Sequence, residues 1–154
     1  YYADLSDVPV DGSFDLISMI HVIEHQPDPV GYLINIRENY LADQGKILLE
    51  LPNLFGHTSY EVSHLTAFHQ TSLKRCLQLA GFRLITSFTH GNPRSPILKL
   101  YLTVLAEPAL RSASPERWRS SLSNILRRRR FGTWFREIMS YRLPNWTWKE
   151  YPEL

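Results

Sequence analysis

The sequence predicts an α/β fold that carries a basic helical extension at its carboxyl end. Three observations predict it. Apolar runs at Phe14–Ile20 and Lys46–Leu51 alternate with stretches of helical spacing. Both runs are nearly continuous, the pattern of strands buried on two faces of a parallel sheet. Beyond residue 107 the charge changes sign: residues 1–107 hold seven Lys/Arg against eleven Asp/Glu, and 108–154 hold ten against four. Residues 1–107 are therefore expected to form a sheet domain, and 108–154 a basic amphipathic helical extension.

The elements run in order along the chain. The turn signal Asp11-Gly12-Ser13 precedes the first strand, and Pro27 and Pro29 close off the stretch after it. Asp28 is placed to cap a helix, with Pro29 at its first position. Val30, Leu33, Ile34 and Leu41 recur at helical spacing, and the helix is expected to stop near Asp43-Gln44-Gly45. Lys46–Leu51 is the second strand, ended by Pro52-Asn53. Residues 53–70 show no period and hold His57, His64 and His69 beside Phe55, Tyr60 and Phe68. Loops of that length in compact domains tend to be functional. Thr71 is read as the next helix cap, Leu73, Cys76, Leu77 and Ala80 as its apolar stripe, and Gly81 as its exit. Phe82–Thr89 is a third strand. The turn at 91–96 is too short for a crossover, so the fourth strand, Leu98–Ala106, should run antiparallel to the third. Ser114-Pro115-Glu116 opens a last helical stretch. Its two apolar faces, Trp118 to Leu126 and Phe131 to Met139, flank Arg127–Arg130, and Pro144 ends it.

Composition narrows the class. A chain of 154 residues, 44% hydrophobic and 21% charged, is globular and excludes a disordered tail, a collagen-like repeat and a disulfide scaffold. The single cysteine, Cys76, cannot form an internal bridge and is expected to be inert core, in keeping with a reducing, cytoplasmic location. No apolar run approaches the roughly 20 residues that span a bilayer. The chain begins at Tyr1, with no basic-then-apolar leader, and is expected to be processed or a piece of something longer.

The segment FDLISMIHVIEHQPDPVGYLINIRENYLADQGKILLELPN, Phe14 to Asn53, resembles the second half of a class I S-adenosylmethionine-dependent methyltransferase of the small-molecule and ubiquinone-biosynthesis type. The shared features are FD opening the family's fourth strand, an HVxEH-like end, a PDP helix start, a Gly turn and a fifth strand ending in PN. His64-Leu65-Thr66-Ala67-Phe68, Ser72-Leu73 and Ala80-Gly81-Phe82 resemble the next family segment. Ala3-Asp4-Leu5 with Pro9 resembles the stretch before it. The likeness covers residues 3–107. It implies the carboxyl half of a Rossmann-like methyltransferase sheet, mainly parallel with the last strand antiparallel. It also implies methyl transfer from S-adenosylmethionine to an O, N or C atom of a small molecule. The family's glycine-rich loop and ribose-binding acid are not in this sequence, so these residues alone are expected to bind the cofactor poorly and turn over little.

The resemblance also assigns residues. Asp4 and Leu5 would contact adenine; Ile20, His21 and Val22 would flank the methionine part, with His25 beside them. The loop, with Asn53, His57, Tyr60 and His69, would face the acceptor, and His64 is the candidate acceptor-side residue or base. Ligands of open α/β sheets bind beyond the strands' carboxyl ends, where these residues fall, and an imidazole suits proton transfer near neutral pH. Plainer readings stand beside these: backbone hydrogen bonding for His21 and His25, packing under Phe68 for His64, and a solvated turn for Asp4. His21-Val22-Ile23-Glu24-His25 also fits the zinc-peptidase pattern H-x-x-E-H. On a strand, however, its two histidines would lie too far apart to chelate, and no metal is expected. Arg127–Arg130 reads as a solvated cap helix or as contact with an anionic membrane or lipid-like substrate through residues 115–142; nucleic acid is not expected. A non-catalytic, methyltransferase-derived module that binds a partner or membrane through this tail is the rival reading. The first strand, lacking its expected neighbour, would be an edge open to self-association.

Overall fold

The computed structural model of the chain describes residues 5–9, 14–57, 61–109 and 121–147. The elements β1 (Phe14–Ile20), α1 (Pro29–Asn39), β2 (Leu41–Pro52), α2 (Gln70–Leu79), β3 (Phe82–His90) and β4 (Tyr101–Pro108) follow in the predicted order. They are succeeded by α3 (Leu122–Arg142) and the short α4 (Pro144–Thr147). The strands form one sheet in the order β1-β2-β4-β3. β1 pairs parallel with β2, and β4 pairs antiparallel with β2 and β3. Three strands thus run one way and the last runs back, as expected. The insertion of β4 between β2 and β3 was not predicted. Its residues suit that place: Tyr101, Leu102, Thr103, Val104 and Ala106 are all buried.

Helices α1 and α2 cover one face of the sheet. Leu33 and Ile36 of α1, and Leu73, Cys76 and Leu77 of α2, close over Ile47, Leu49, Leu51, Leu102 and Val104 in one core. Burial lifts the Cys76 thiol pKa to about 11, so it is an inert core group. The expected two-sided burial of the first two strands is not found. β2 alternates, with Ile47, Leu49 and Leu51 buried and Lys46 exposed. On β1 only Met19 is buried, and Leu16 and Ile20 are 57% and 49% exposed. β1 pairs on one side only, and the second sheet face has no covering helix among the described residues.

Boundaries moved for local reasons. Asp28 caps α1 as predicted, its Oδ1 accepting from Gly31 N–H at 2.9 Å. The helix ends earlier than expected, because Leu41 is drawn into the core as the first residue of β2. The register then jumps from Phe14↔Leu41 to Leu16↔Lys46, so residues 42–45 bulge from the ladder. His69, not Thr71, is the N-cap of α2. No helix among the described residues is long and apolar enough to cross a membrane. α3 buries none of its side chains fully. At 3.6 residues per turn its first apolar stretch, Leu122 to Leu126, faces opposite its second, Phe131 to Ile138.

Candidate active site

The sheet's carboxyl edge gathers the chemistry-bearing side chains in two groups. The first forms where β1 stops. His21 leaves the strand at φ 54°, a left-handed conformation that costs a residue with a Cβ roughly 1–2 kcal/mol and that clusters at functional sites. Its N–H still donates to Glu50 O at 2.8 Å. A single 3-10 turn, Ile23–His25, follows. The two histidines are therefore on neither a strand nor an α-helix, which corrects the strand geometry assumed for the H-x-x-E-H pattern.

Glu24 lies beneath them, 1% exposed. His21 Nδ1–H donates to Glu24 Oε1 at 3.1 Å, and His25 Nε2 lies 4.0 Å from the same oxygen. That hydrogen bond, opposed by partial burial and helped by the Glu24 charge, holds the His21 pKa above its ordinary value. Glu24 Oε2 has no hydrogen-bond partner among the described residues. The long loop folds back over this turn. His25 Nδ1–H donates to Ser63 O at 3.0 Å, and Thr66 N–H donates to Glu24 O at 3.1 Å. The His64 ring meets His25 edge-on with centroids 4.8 Å apart, and its Nε2 is 3.7 Å from Glu61 Oε2. Glu24, His25 and His64 each present a donor atom within 4.8 Å of the other two, a spacing that could hold a metal ion. It is not the peptidase arrangement: His21 is not one of the three, and the carboxylate that would serve as base is buried.

The second group surrounds a cavity. Asn53 is buried at the end of β2. Its Nδ2–H donates to Lys99 O at 2.8 Å, its Oδ1 accepts from Phe55 N–H at 3.3 Å, and its own N–H donates to Leu100 O at 2.8 Å. It thereby fastens the exit of β2 to the segment entering β4. His69 caps α2 through Nδ1, which accepts from Thr71 N–H at 3.2 Å and so places the ring proton on Nε2. The His69 ring stacks on Phe55 with centroids 5.4 Å apart. Burial, and to a lesser degree Arg128, push its pKa down. Burial also lowers the pKa of His57, whose Nε2–H donates to Leu100 O at 2.9 Å. α3 crosses above. Arg136 Nη1 donates to Gly56 O at 3.2 Å, and Gly132 comes so close that a Cβ there would lie 2.8 Å from Phe55 O. The cavity is a half-open cleft of about 400 Å³, the size of a small-molecule site.

The structure thus brings Ile20, His21, Val22, His25 and His64 to the end of β1, and Asn53 and His69 to the cavity. His57 lies between them. Both His21 and His57 meet the Tyr101 ring, at centroid distances of 5.6 and 6.2 Å. His64 is therefore with the expected cofactor residues and does not line the cavity. Leu5 stands apart. Its carbonyl accepts from Tyr40 OH at 3.1 Å, and Tyr40 O accepts from Phe14 N–H. Leu5 is thus held by the Tyr40 side chain and packs on the core. Asp4 and Tyr60 lie outside the described residues, as do Trp118 and Ser114-Pro115-Glu116. Sequence reasoning missed Tyr101 and the face of α3 that lines the cavity. Arg128, Phe131, Gly132, Phe135 and Arg136 stand at the i, i+3, i+4, i+7, i+8 spacing of one helix face.

Comparison with known proteins places this edge in a family. No curated protein sequence matches the chain. Among solved structures it resembles the Burkholderia thailandensis 1,6-didemethyltoxoflavin-N1-methyltransferase with bound 1,6-didemethyltoxoflavin and S-adenosylhomocysteine. The TM-score is 0.55 at 20% identity, over 68% of this chain and 48% of that one. It also resembles a SAM-dependent methyltransferase from Aquifex aeolicus, with TM-score 0.51 and 13% identity over 64% of this chain and 47% of that one. A third, an S-adenosylmethionine-dependent methyltransferase from Clostridium acetobutylicum, gives 0.50 and 11% over 69% and 63%. At such identities the likeness is one of fold, and the chain spans about half the length of the first two. The family profile described as a methyltransferase domain matches residues 4–87, more than half of the sequence. The chain belongs to the methyltransferase-domain family and has the fold of class I S-adenosylmethionine-dependent methyltransferases.

Proposed function

We propose that this protein transfers a methyl group from S-adenosylmethionine to an O, N or C atom of a small-molecule acceptor. The observation that carries this reading is the presence of two groups at one sheet edge: the turn after β1, whose His21 meets the Tyr101 ring, and a cavity whose wall residue Gly56 adjoins His57, which meets the same ring. The residues at the turn fit the methionine part of such a cofactor. Ile20 is half exposed and apolar, and His21 presents an exposed polar ring beside it at the strand end. Ile20, His21, Val22 and His25 would hold that part, and Leu5 with Asp4 would contact adenine. When bound, the cofactor supplies an electrophilic methyl group. The chain's own task is alignment and proton handling. Buried Glu24 orients His21 and Asn53 fixes the cavity wall; the His64 imidazole, which stands at the turn and does not line the cavity, would take a proton only from an acceptor that reaches across to the turn.

Residues 1–107 are read as a partial sheet domain, and 108–154 as an extension whose α3 roofs the acceptor cavity. Exposed Leu16 and Ile20 mark β1 as the edge where further chain, or a second copy, pairs. These 154 residues alone are therefore expected to bind cofactor weakly and to turn over little. Ultraviolet cross-linking of radiolabelled S-adenosylmethionine to the chain tests the reading. Label on the peptide holding Ile20–His25 is expected, and label confined to other peptides would overturn it.

One observation favours the rival reading of a module that docks on an anionic membrane. Leu126, Trp134, Ile138 and Tyr141 are exposed on α3 together with Arg127 and Arg130. Liposome co-sedimentation that Arg127→Glu with Arg130→Glu abolishes, together with no cross-linking at Ile20–His25, would favour it.

A further inference from the structure

We propose that the cavity under α3 takes an anionic, ring-bearing ligand whose acidic group pairs with Arg128. The proposal rests on the methyl-transfer reading above in one respect, namely that this ligand is the acceptor. The cavity lies between the carboxyl end of β2, at Asn53, and that of β3, at Thr89, where acceptors of this reaction would stand. Its lining holds three permanent cations, Lys99, Arg128 and Arg136, and no carboxylate. Arg136 is engaged with Gly56 O. Arg128 has no ion pair among the described residues, and the nearby His69 has its pKa lowered partly by that guanidinium. A positive charge without an ion pair among the described residues, lining a concave site, favours an anion over a neutral or cationic ligand. The first turn of α2, at Gln70 and Thr71, opens on the same cavity and adds its dipole to that field.

Beside polar Asn53, His69, Gln70, Thr71 and Thr89, the wall has an apolar and largely aromatic part. Phe55, Phe131 and Phe135 make it up together with Ile97 and Leu98. Flat side chains of this kind receive a ring by stacking and edge contacts. Arginine is suited to grip a carboxylate or a similar planar acid through two parallel N–H bonds. The helix that supplies both features is seated on the loop, since Gly132 allows close approach to Phe55 O.

The test uses the whole 154-residue chain and two probes of one shape, 1-naphthoate and its neutral analogue 1-naphthamide, followed by two-dimensional NMR. Naphthoate is expected to bind about tenfold more tightly, the equivalent of one charge-assisted hydrogen bond. Its shifts should centre on His69, Thr71, Arg128 and Phe131. Arg128→Gln should reduce naphthoate to the level of the amide, Arg128→Lys should restore part of the difference, and Arg127→Gln, outside the cavity, should change nothing. Equal affinity for the two probes overturns the proposal. So does an equal loss from Arg127→Gln and Arg128→Gln, which would show only general attraction to a basic helix. A parallel titration with S-adenosylhomocysteine separates the two readings. Naphthoate selectivity without any response at Ile20–His25 keeps the anion site but removes its role as acceptor site. A response there without selectivity keeps methyl transfer and removes the anion.

Discussion

Asn53→Ala should destabilise the fold through two groups that, among the described residues, only Asn53 satisfies. The side chain is buried, accepts from Phe55 N–H at 3.3 Å and donates to Lys99 O at 2.8 Å. Truncation leaves a donor and an acceptor without partners in a crowded turn. Each orphaned buried group costs about 1–3 kcal/mol. The bond to Phe55 is longer than the ordinary range for N–H···O and counts at the low end, so the expected loss is about 2–3 kcal/mol. For a domain of this size each kcal/mol lowers Tm by about 2–4 °C, giving a drop of about 5–10 °C. Urea unfolding should show a lower midpoint at unchanged slope. Asn53→Asp should cost at least as much, because it sets an oxygen against the Lys99 carbonyl where an N–H now donates. A loss below about 0.5 kcal/mol for Asn53→Ala, the size of an ordinary surface change, would refute the reasoning.

Other substitutions test the remaining links. Glu24→Gln should lower the His21 pKa, since the hydrogen bond to Glu24 is the main cause of its elevation. A raised histidine pKa contributes stability that is full below 6.5 and fades as pH rises through the folded value. NMR titration of the His21 ring that does not change on Glu24→Gln would contradict this. His69 works in the opposite sense. Its lowered pKa gives stability present above 6.5 and lost as pH falls toward the folded value, when protonation of Nδ1 removes the cap on Thr71. Arg128→Gln should raise the His69 pKa slightly, and a fall would count against the assigned neighbour. Gly81→Ala should cost about 1–2 kcal/mol from its φ of 80°, with some further cost from moving the Arg37 guanidinium aside. Unchanged urea unfolding would show that the turn relaxes freely.

Much of the fold was written locally. Asp28-Pro29, the apolar spacing of Val30, Leu33 and Ile34 and the exit at Gly81 specify their elements by chemistry within a few residues of chain, although Ile36 and not Ile34 is the second buried residue of α1. The illegible features depended on partners far away in sequence. Leu41 looks like the last turn of a helix, but the core claims it for β2. The runs in β1 and β2 look two-sided, yet burial is decided by which layers cover the sheet. The place of β4 between β2 and β3 follows from pairing and not from periodicity. The same division holds at the site. His21, His25, Asn53 and His69 could be placed near strand ends from order alone. Their separation into a turn and a cavity required the loop to fold back, through Thr66 onto Glu24 and Ser63 onto His25. Arg128 read as one member of a basic run, because nothing local says which arginine of the four lines a cavity.

The central claim is that the turn after β1 belongs to a cofactor site. An NMR titration of the isotopically labelled 154-residue chain with S-adenosylhomocysteine tests it most directly, since it detects weak binding and locates it. The account predicts shifts concentrated at Ile20, His21, Val22 and His25, saturating well above the micromolar range. Shifts scattered over the surface, or confined to α3, would contradict the site, and micromolar saturation would contradict the view that these residues form only part of it.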